Sequence, residues 1–185
     1  MNIVGKKVTL RAIEESDLVY LHKWSNDPEI WELLGGWSFP KSFDSLKFWF
    51  SNIKNDKLSQ KWAITTEELG LIGTTNLVDI DWKNRNAFHG IMIGDKNTRG
   101  KGYGLDTLMT VMKYSFEELN LNRLDTTIIE YNKPSLNLYK NKCGWKEEGT
   151  QKKWYFRKNN YWDRLMLGIL QEDYFNLVKE NGYWL

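Results

Sequence analysis

A glycine-rich segment between an apolar run and a helical pattern constrains this chain of 185 residues more than any other feature. Residues 99–104 read Arg-Gly-Lys-Gly-Tyr-Gly; they follow the apolar run 91–94 and precede a helical pattern that begins at Leu105. A strand, a glycine turn and a helix N-terminus in this order expose backbone N–H groups and positive potential to an anion. The segment therefore predicts a site for a phosphorylated ligand in an alternating α/β fold.

The spacing of this segment excludes two common phosphate motifs. A P-loop needs Gly, four residues and then Gly-Lys-Ser/Thr, whereas five residues follow Gly94 before the next glycine, and Gly102 replaces the hydroxyl residue. The dinucleotide fingerprint Gly-x-Gly-x-x-Gly fails because its third glycine, Gly104, comes one position early. The pattern that remains is Arg-x-x-Gly-x-Gly, formed by Arg99, Gly102 and Gly104. An ordinary turn without a ligand is the alternative for these glycines alone.

A second pattern lies downstream on a short predicted helix. Asn132, Ser135 and Tyr139 are three and four residues apart, so they share one helix face. Pro134 fits the first turn of this helix, and Gly144 fits the position just after its end. Half-buried packing is the alternative for Tyr139 taken alone.

Both patterns, in this order, resemble the motifs of the Gcn5-related N-acetyltransferase (GNAT) family: its pyrophosphate loop, and its Asn-x-x-Ser-x-x-x-Tyr helix followed by Gly and an aromatic residue. The resemblance covers nearly the whole chain and is nearest to the branch of ribosomal-protein N-terminal and polyamine acetyltransferases. It implies an α/β (α+β) acyl-CoA N-acyltransferase fold, in which a mixed central sheet splays between two parallel strands and carries helices on both faces. Residues 1–185 would then form a single N-acetyltransferase domain.

Hydrophobic periodicity predicts elements that fit this fold. The expected strands cover 7–11, 61–66, 71–80, 87–93, 124–131, 145–155 and 161–170, and the expected helices cover 14–26, 42–55, 171–181 and the segments that begin at 105 and 132. The first helix should end at Asp27-Pro28, because proline stops a helix. Gly90 within its strand predicts a β-bulge that helps the sheet to splay.

The resemblance implies that acetyl-coenzyme A (acetyl-CoA) is the co-substrate. Its pantetheine would lie between the splayed strands 87–93 and 124–131 and pair with the backbone of the first. In the family, the Asn and Ser of the helix motif contact the cofactor. The cofactor-binding residues carried over to this chain are Ile91, Met92, Ile93, Arg99, Gly100, Lys101, Gly102, Tyr103, Gly104, Asn132 and Ser135.

The implied reaction is direct acetyl transfer from the thioester to a primary amine, with Tyr139 protonating the leaving thiolate. A backbone N–H near Ile91 is expected to stabilise the oxyanion. Many relatives carry a glutamate base on the strand before the loop, but Phe88 stands there in this chain. His89 and Glu130 are the remaining candidates for a base acting through water. The alternative for His89 is a structural histidine whose ring nitrogens are hydrogen-bonded beside the sheet. The alternative for Glu130 is a solvated residue at the end of its strand.

The acceptor is expected to bind among the variable helices between residues 24 and 62, which are rich in aromatic side chains. Trp37 lies in a predicted glycine loop and is the substrate-binding candidate, whereas Phe43, Leu46 and Phe50 have the helical spacing of core residues. Five acidic residues in this region are balanced by five lysines, which disfavours a polyamine. A protein or peptide N-terminus, or a small amine such as an amino sugar, stays open.

Composition and charge exclude other classes of protein. With 26 basic and 24 acidic residues, the net charge of +2 is too small to indicate nucleic-acid binding. No apolar run is long enough for a membrane span, and His22 and His89 stand too far apart to suggest a metal site. The lone Cys143 suits a reducing cytoplasm. We therefore expect a cytoplasmic acetyltransferase without a metal; a homodimer stays open. Because the strand glutamate is absent, the alternative is a catalytically weakened acetyl-CoA-binding module that acts as a sensor or structural subunit.

Overall fold

The computed structural model describes residues 1–36, 39–53 and 55–185, and these form one eight-stranded sheet with helices. The strands are β1 (Ile3–Val4), β2 (Thr9–Ala12), β3 (Gln60–Thr66), β4 (Gly70–Asp81), β5 (Asn86–Ile93), β6 (Arg123–Ile129), β7 (Lys146–Arg157) and β8 (Asn160–Leu170). The helices are α1 (Leu18–Ser25), α2 (Pro28–Leu33), α3 (Phe43–Ile53), α4 (Tyr103–Lys113), α5 (Lys133–Leu136) and α6 (Gln171–Asn181). Among the described residues, no helix is long and apolar enough to cross a membrane.

The sheet is mixed, as the sequence predicts. Its strand order is β1-β2-β3-β4-β5-β6-β8-β7, and within the described ranges β5 and β6 are the only parallel neighbours. Apolar residues are buried on both faces. On one face α4 and α6 contribute Met112 and Tyr174 to the larger core, and on the other α1, α2 and α3 contribute Leu21, Ile30 and Leu46 to a smaller one. Helices on both faces are thus confirmed.

The first predicted helix, 14–26, is wrong in its details. A single 3₁₀ turn (Glu15–Asp17) precedes α1, which ends at Ser25, and a separate helix α2 begins at Pro28. Proline suits the first turn of a helix because its missing N–H has no partner there. The side chain of Asp27 caps this turn by accepting the N–H of Glu29 at 2.9 Å. Pro28 therefore starts a helix, whereas the preceding helix has already ended at Ser25.

The expected bulge at Gly90 is also wrong. Gly90 pairs with Asn76 in unbroken register, and the register shift between β4 and β5 lies further along, between Val78 and Asp81. The sheet opens instead because the pairing of β5 with β6 stops after Phe88, which lies opposite Asp125. A glycine in a strand indicates close approach as well as a bulge, and Asn76 is the close neighbour here.

A buried carboxylate anchors the start of α4 to two distant segments. Asp106, which is 1% exposed, accepts the backbone N–H groups of Lys6, Lys7 and Val8 at 3.0, 2.6 and 2.9 Å. The phenol of Tyr183 donates to the same carboxylate at 2.7 Å. These four bonds fix the first turns of α4 against the turn between β1 and β2 and against the segment after α6.

Candidate active site

The parallel strands separate directly after the residues that pair them. Residues 86–88 of β5 pair with 123–125 of β6, and beyond them the hydroxyl of Thr126 donates to the carbonyl of His89 at 2.9 Å. Since every second residue of a strand directs its backbone groups to the same side, Ile91 faces the open gap as His89 does. A cavity of about 800 Å³ extends along this gap.

The glycine loop lies along the cavity and presents a helix N-terminus to it. Gly100 and Gly102 have φ values of 77° and 88°, which side-chain-bearing residues rarely adopt. Gly102 caps α4 without any side-chain hydrogen bond, so the first-turn N–H groups have no side-chain partner. Arg99, Gly100, Gly102 and Gly104 line the cavity. This geometry fits an anion such as a pyrophosphate.

Arg99 is held at the edge of the cavity by an ion pair. Its Nη1 donates to Glu29 at 2.8 Å and its Nη2 to the carbonyl of Ile93 at 3.4 Å. Lys96 donates to the same glutamate at 2.7 Å. The hydrogen bond from Lys96, with that from Arg99, lowers the pKa of Glu29 below its ordinary value. Glu29 is therefore ionised and already neutralised by two cations.

The second motif begins with a capped helix. Asn132 Oδ1 accepts the N–H of Ser135 at 3.2 Å, and Asn132 Nδ2 donates to the carbonyl of Leu33 at 3.2 Å, which ties α5 to α2. Beyond α5 the helix widens into a π-helical segment, Asn137–Lys142. Asn132, Ser135 and Tyr139 nevertheless all line the cavity.

Tyr139 and His89 belong to one buried chain of hydrogen bonds. Tyr139 Oη lies 2.8 Å from His89 Nδ1, and His89 Nε2 lies 3.0 Å from Thr75 Oγ1. Thr75 Oγ1 also lies 2.9 Å from the carbonyl of Gly90. Because the carbonyl can only accept, Thr75 donates its proton there and accepts from Nε2–H. His89 Nδ1 then accepts the proton of Tyr139, so this network assigns a neutral histidine protonated on Nε2.

Burial governs the ionisation of both side chains. Removal from water lowers the pKa of His89 to about 3. It also raises the pKa of Tyr139 well above the ordinary value, an effect only partly opposed by a hydrogen bond with Thr126. At neutral pH Tyr139 keeps its proton and His89 carries no charge. Tyr139 therefore has a proton to donate, whereas His89 is a poor acceptor for the proton of an ammonium group.

Several of the predicted site residues do not line the cavity, and one lies outside the described residues. Glu130 Oε1 accepts the N–H of Asp163 at 2.7 Å and does not line the cavity. Lys101 and Tyr103 belong to the loop but do not line it either. Trp37 lies outside the described residues.

The second half of the cavity, termed here the acceptor half, consists of side chains outside both motifs. It is lined by Leu33, Leu34, Gly35, Gly36, Thr74, Asn76, Val78, Phe88, Thr127, Trp154, Tyr155 and Arg164. Cross-strand pairing places Asn76, opposite Gly90, and Arg164, opposite Ile129, on the same sheet face as Phe88. The alternation of side chains between the two faces of a strand was the sequence signal that could have identified Asn76 and Arg164. In the described part of the chain, no three His, Cys, Asp or Glu side chains are grouped to hold a metal ion.

Comparison with known proteins points to one family. The family model described as an acetyltransferase (GNAT) domain matches residues 7–146. Spermidine N(1)-acetyltransferase of Vibrio cholerae is 28% identical, over 94% of this chain and 98% of its own length. An uncharacterized prophage-derived N-acetyltransferase of Bacillus subtilis is also 28% identical, over 92% and 93%. The crystal structure of the Vibrio cholerae spermidine N-acetyltransferase with CoA and spermine superposes with a TM-score of 0.85 at 29% identity, covering 92% of this chain and 99% of that one.

Proposed function

Because this chain belongs to the GNAT acetyltransferase family and is an N-acetyltransferase that uses acetyl-CoA, we propose that it transfers the acetyl group directly to a primary amine held in the acceptor half. The observation that carries this proposal is the single cavity that joins the glycine loop and Tyr139 to a second, differently lined half. Residues 1–185 act as one domain in this proposal. The acceptor is a small-molecule amine or the N-terminus of a peptide.

The cofactor half is the part of the cavity lined by the glycine loop, by β5 at Ile91 and by Asn132, Ser135 and Tyr139, and it offers matching groups to the pyrophosphate and the pantetheine of acetyl-CoA. The first-turn N–H groups of α4, beside Gly102, suit the pyrophosphate, and Arg99 and Lys142 supply positive charge nearby. The open edge of β5 at Ile91 suits the amide groups of the pantetheine. The N–H of Ile91 is also the proposed donor to the oxyanion.

In the proposed reaction, a C–N bond forms between the neutral amine and the acetyl carbon, and the C–S bond to CoA breaks. The sulfur leaves as a thiolate and Tyr139 donates its proton towards it, which requires the hydroxyl to turn from His89 Nδ1 to the sulfur. The amine also loses a proton. Since Glu130 lies off the cavity and the pKa of His89 is about 3, we assign that proton to water rather than to either side chain.

The test is release of CoA thiol from acetyl-CoA in the presence of a panel of primary amines, with mass spectrometry of each product. The matched control for each amine is its N,N-dimethyl analogue, which keeps the charge and most of the shape but cannot form a stable amide. We expect acetylated product only with primary amines. Tight binding of acetyl-CoA without thiol release would instead favour the sensor or structural module.

A polyamine is a second candidate acceptor, favoured by the relatives that are named spermidine acetyltransferases. The acidic residues of α2 and its cap offer it little, however. Asp27 and Glu29 pair with Lys96, and Glu32 pairs with Lys158. Spermidine belongs in the same panel, and its kcat/KM relative to the other amines decides between the candidates.

A further inference from the structure

The charges that line the cavity are all positive. Among its described lining residues, Arg99, Lys142 and Arg164 are basic and none is Asp or Glu. Arg99 and Lys142 belong to the cofactor half, where phosphate groups account for them. Arg164 belongs to the acceptor half, where acetyl-CoA offers no reason for a cation.

Arg164 is held in place but lacks an anionic partner. Its guanidinium stacks over the ring of Trp154, 4.8 Å from the ring centre. Its Nε is buried without a hydrogen-bond partner, and so is Oε1 of Gln151, the residue opposite it on β7. Within the described residues the side chain of Arg164 has neither a hydrogen bond nor an ion pair. A buried donor without a partner is costly. The Nη groups of Arg164 are not among these buried atoms, so they are free to donate to a ligand anion.

The position of Arg164 suits recognition of a group other than the amine. β8 is the second strand from β5, so the backbone of Arg164 is at least about 10 Å from the β5 edge, where the thioester is expected. The long side chain covers part of this distance on the face shared with Phe88. An acceptor that spans the remainder would place its amine at the thioester and a second group at the guanidinium.

We propose that Arg164 binds an oxyanion of the acceptor, a carboxylate or a phosphate, so that the enzyme prefers anionic primary amines to polyamines. The planar guanidinium suits either group, because both accept two parallel N–H bonds. A polyamine would instead bring several positive charges to an unpaired arginine. This proposal rests on the N-acetyltransferase function proposed above.

The experiment compares amines that differ only by the anion. Tyrosine is paired with tyramine for the carboxylate, glucosamine 6-phosphate with glucosamine for the phosphate, and spermidine is measured alongside. We expect at least one anionic member to exceed its neutral partner in kcat/KM by about tenfold or more, as charge-assisted hydrogen bonds allow. The pair that shows the preference identifies carboxylate or phosphate as the source.

Two substitutions test the residue. Arg164→Gln should lower kcat/KM for the anionic amine by about tenfold to a hundredfold, mainly through KM, and leave the neutral partner nearly unchanged. Arg164→Lys should retain part of the preference, which keeps the test valid if the glutamine variant folds poorly. The control is Lys152→Gln, which removes the same charge from β7, where the side chain is 77% exposed and paired with Asp163. It should leave the preference intact.

The outcomes separate this proposal from the proposed function. If amines are acetylated but spermidine or both neutral partners match the anionic ones, the anion proposal is overturned and the function stands. If no amine is acetylated, the proposed function fails, and calorimetry on the CoA-loaded protein judges the anion proposal. Tighter binding of tyrosine or glucosamine 6-phosphate than of the neutral partner, weakened about tenfold by Arg164→Gln, would support it. Absence of such binding would overturn it.

Discussion

The two halves of the cavity recognise their ligands by different means. The cofactor half uses short, local segments and backbone groups: the loop before α4, the open edge of β5 and the first turn of α5. The acceptor half uses residues from β4, β5, β6, β7 and β8 together with the end of α2 and the segment that follows it. His89 and Tyr139 beside the cofactor half are 0% and 2% exposed, and Trp154 of the acceptor half is 53% exposed.

This difference separates a fixed half from an adjustable one. Backbone recognition depends on particular glycines and spacings, so few substitutions preserve it. Recognition by side chains on a sheet face can change with a single residue, because the backbone is unaffected. We therefore expect equivalent substitutions in the two halves to affect different kinetic or binding constants.

The largest expected effect comes from one chemical change made in each half. Tyr139→Phe removes the proton donor and keeps the ring, so kcat should fall by about 10²–10⁴-fold if chemistry limits turnover, with affinity for acetyl-CoA nearly unchanged. Tyr155→Phe, in the acceptor half, should leave kcat within about threefold of the wild type. Stopped-flow rates and a binding titration measure both. A comparable loss of acetyl-CoA affinity in Tyr139→Phe would make this tyrosine a binding residue.

The next effect tests the backbone loop. Gly102→Val forces a β-branched residue into a conformation with φ of 88°, and should weaken acetyl-CoA binding by more than tenfold, about 1.4 kcal/mol. Gly70→Val imposes the same kind of strain at φ of 65° in the first residue of β4, which does not line the cavity. Calorimetry should find normal affinity in the Gly70 variant. Unchanged affinity in Gly102→Val would remove the basis for the phosphate assignment.

The last expected effect is on stability rather than on turnover or binding, and it tests whether water is excluded from the His89 ring beside the cofactor half. The pKa of His89 is about 3 in the folded protein and about 6.5 when unfolded, so the unfolded state binds the proton first. Stability should therefore be intact above about pH 6.5 and fall, by up to about 1.4 kcal/mol per pH unit, as pH drops towards 3. His89→Gln should remove this part of the acid dependence.

The matched control is His22→Gln, because His22 is the other histidine and its ring bonds to the carbonyl of Lys41 outside the core. Urea titrations between about pH 4 and 8, a range that brackets the unfolded pKa of about 6.5, compare the wild type with the His89→Gln and His22→Gln variants. Parallel pH dependence in the wild type and His89→Gln would show that water reaches the His89 ring.

The same contrast explains how much the sequence could predict. The loop with Arg99 and Gly102 and the helix with Ser135 and Tyr139 are contiguous patterns whose spacing fixes their geometry, and the structure places them along the cavity. The role of each residue stays a prediction. Arg164, in contrast, is one residue of an ordinary alternating strand, and only tertiary pairing brings it to the cavity.

Other differences arose where one residue admits two local structures. Pro28 can end one helix or begin another. It begins α2, because the side chain of Asp27 caps the first turn of that helix. Glu130 lies two residues before Asn132, as the motif suggested, but its carboxylate bonds the backbone of β8 instead of facing the cavity. Sequence spacing gives the position of such a residue, whereas its partner comes from a strand more than thirty residues away.

The partners of the Asp106 carboxylate, which anchors the helix after the cofactor loop, are synthesised at different times. During synthesis, Asp106 can accept the N–H groups of Lys7 and Val8 as soon as α4 has folded, since those residues emerge first. Its phenol partner, Tyr183, follows 77 residues later. A nascent chain therefore contains both sequence motifs well before the helix beneath the loop has all its bonds. We expect full affinity for acetyl-CoA to require the docking of that late segment.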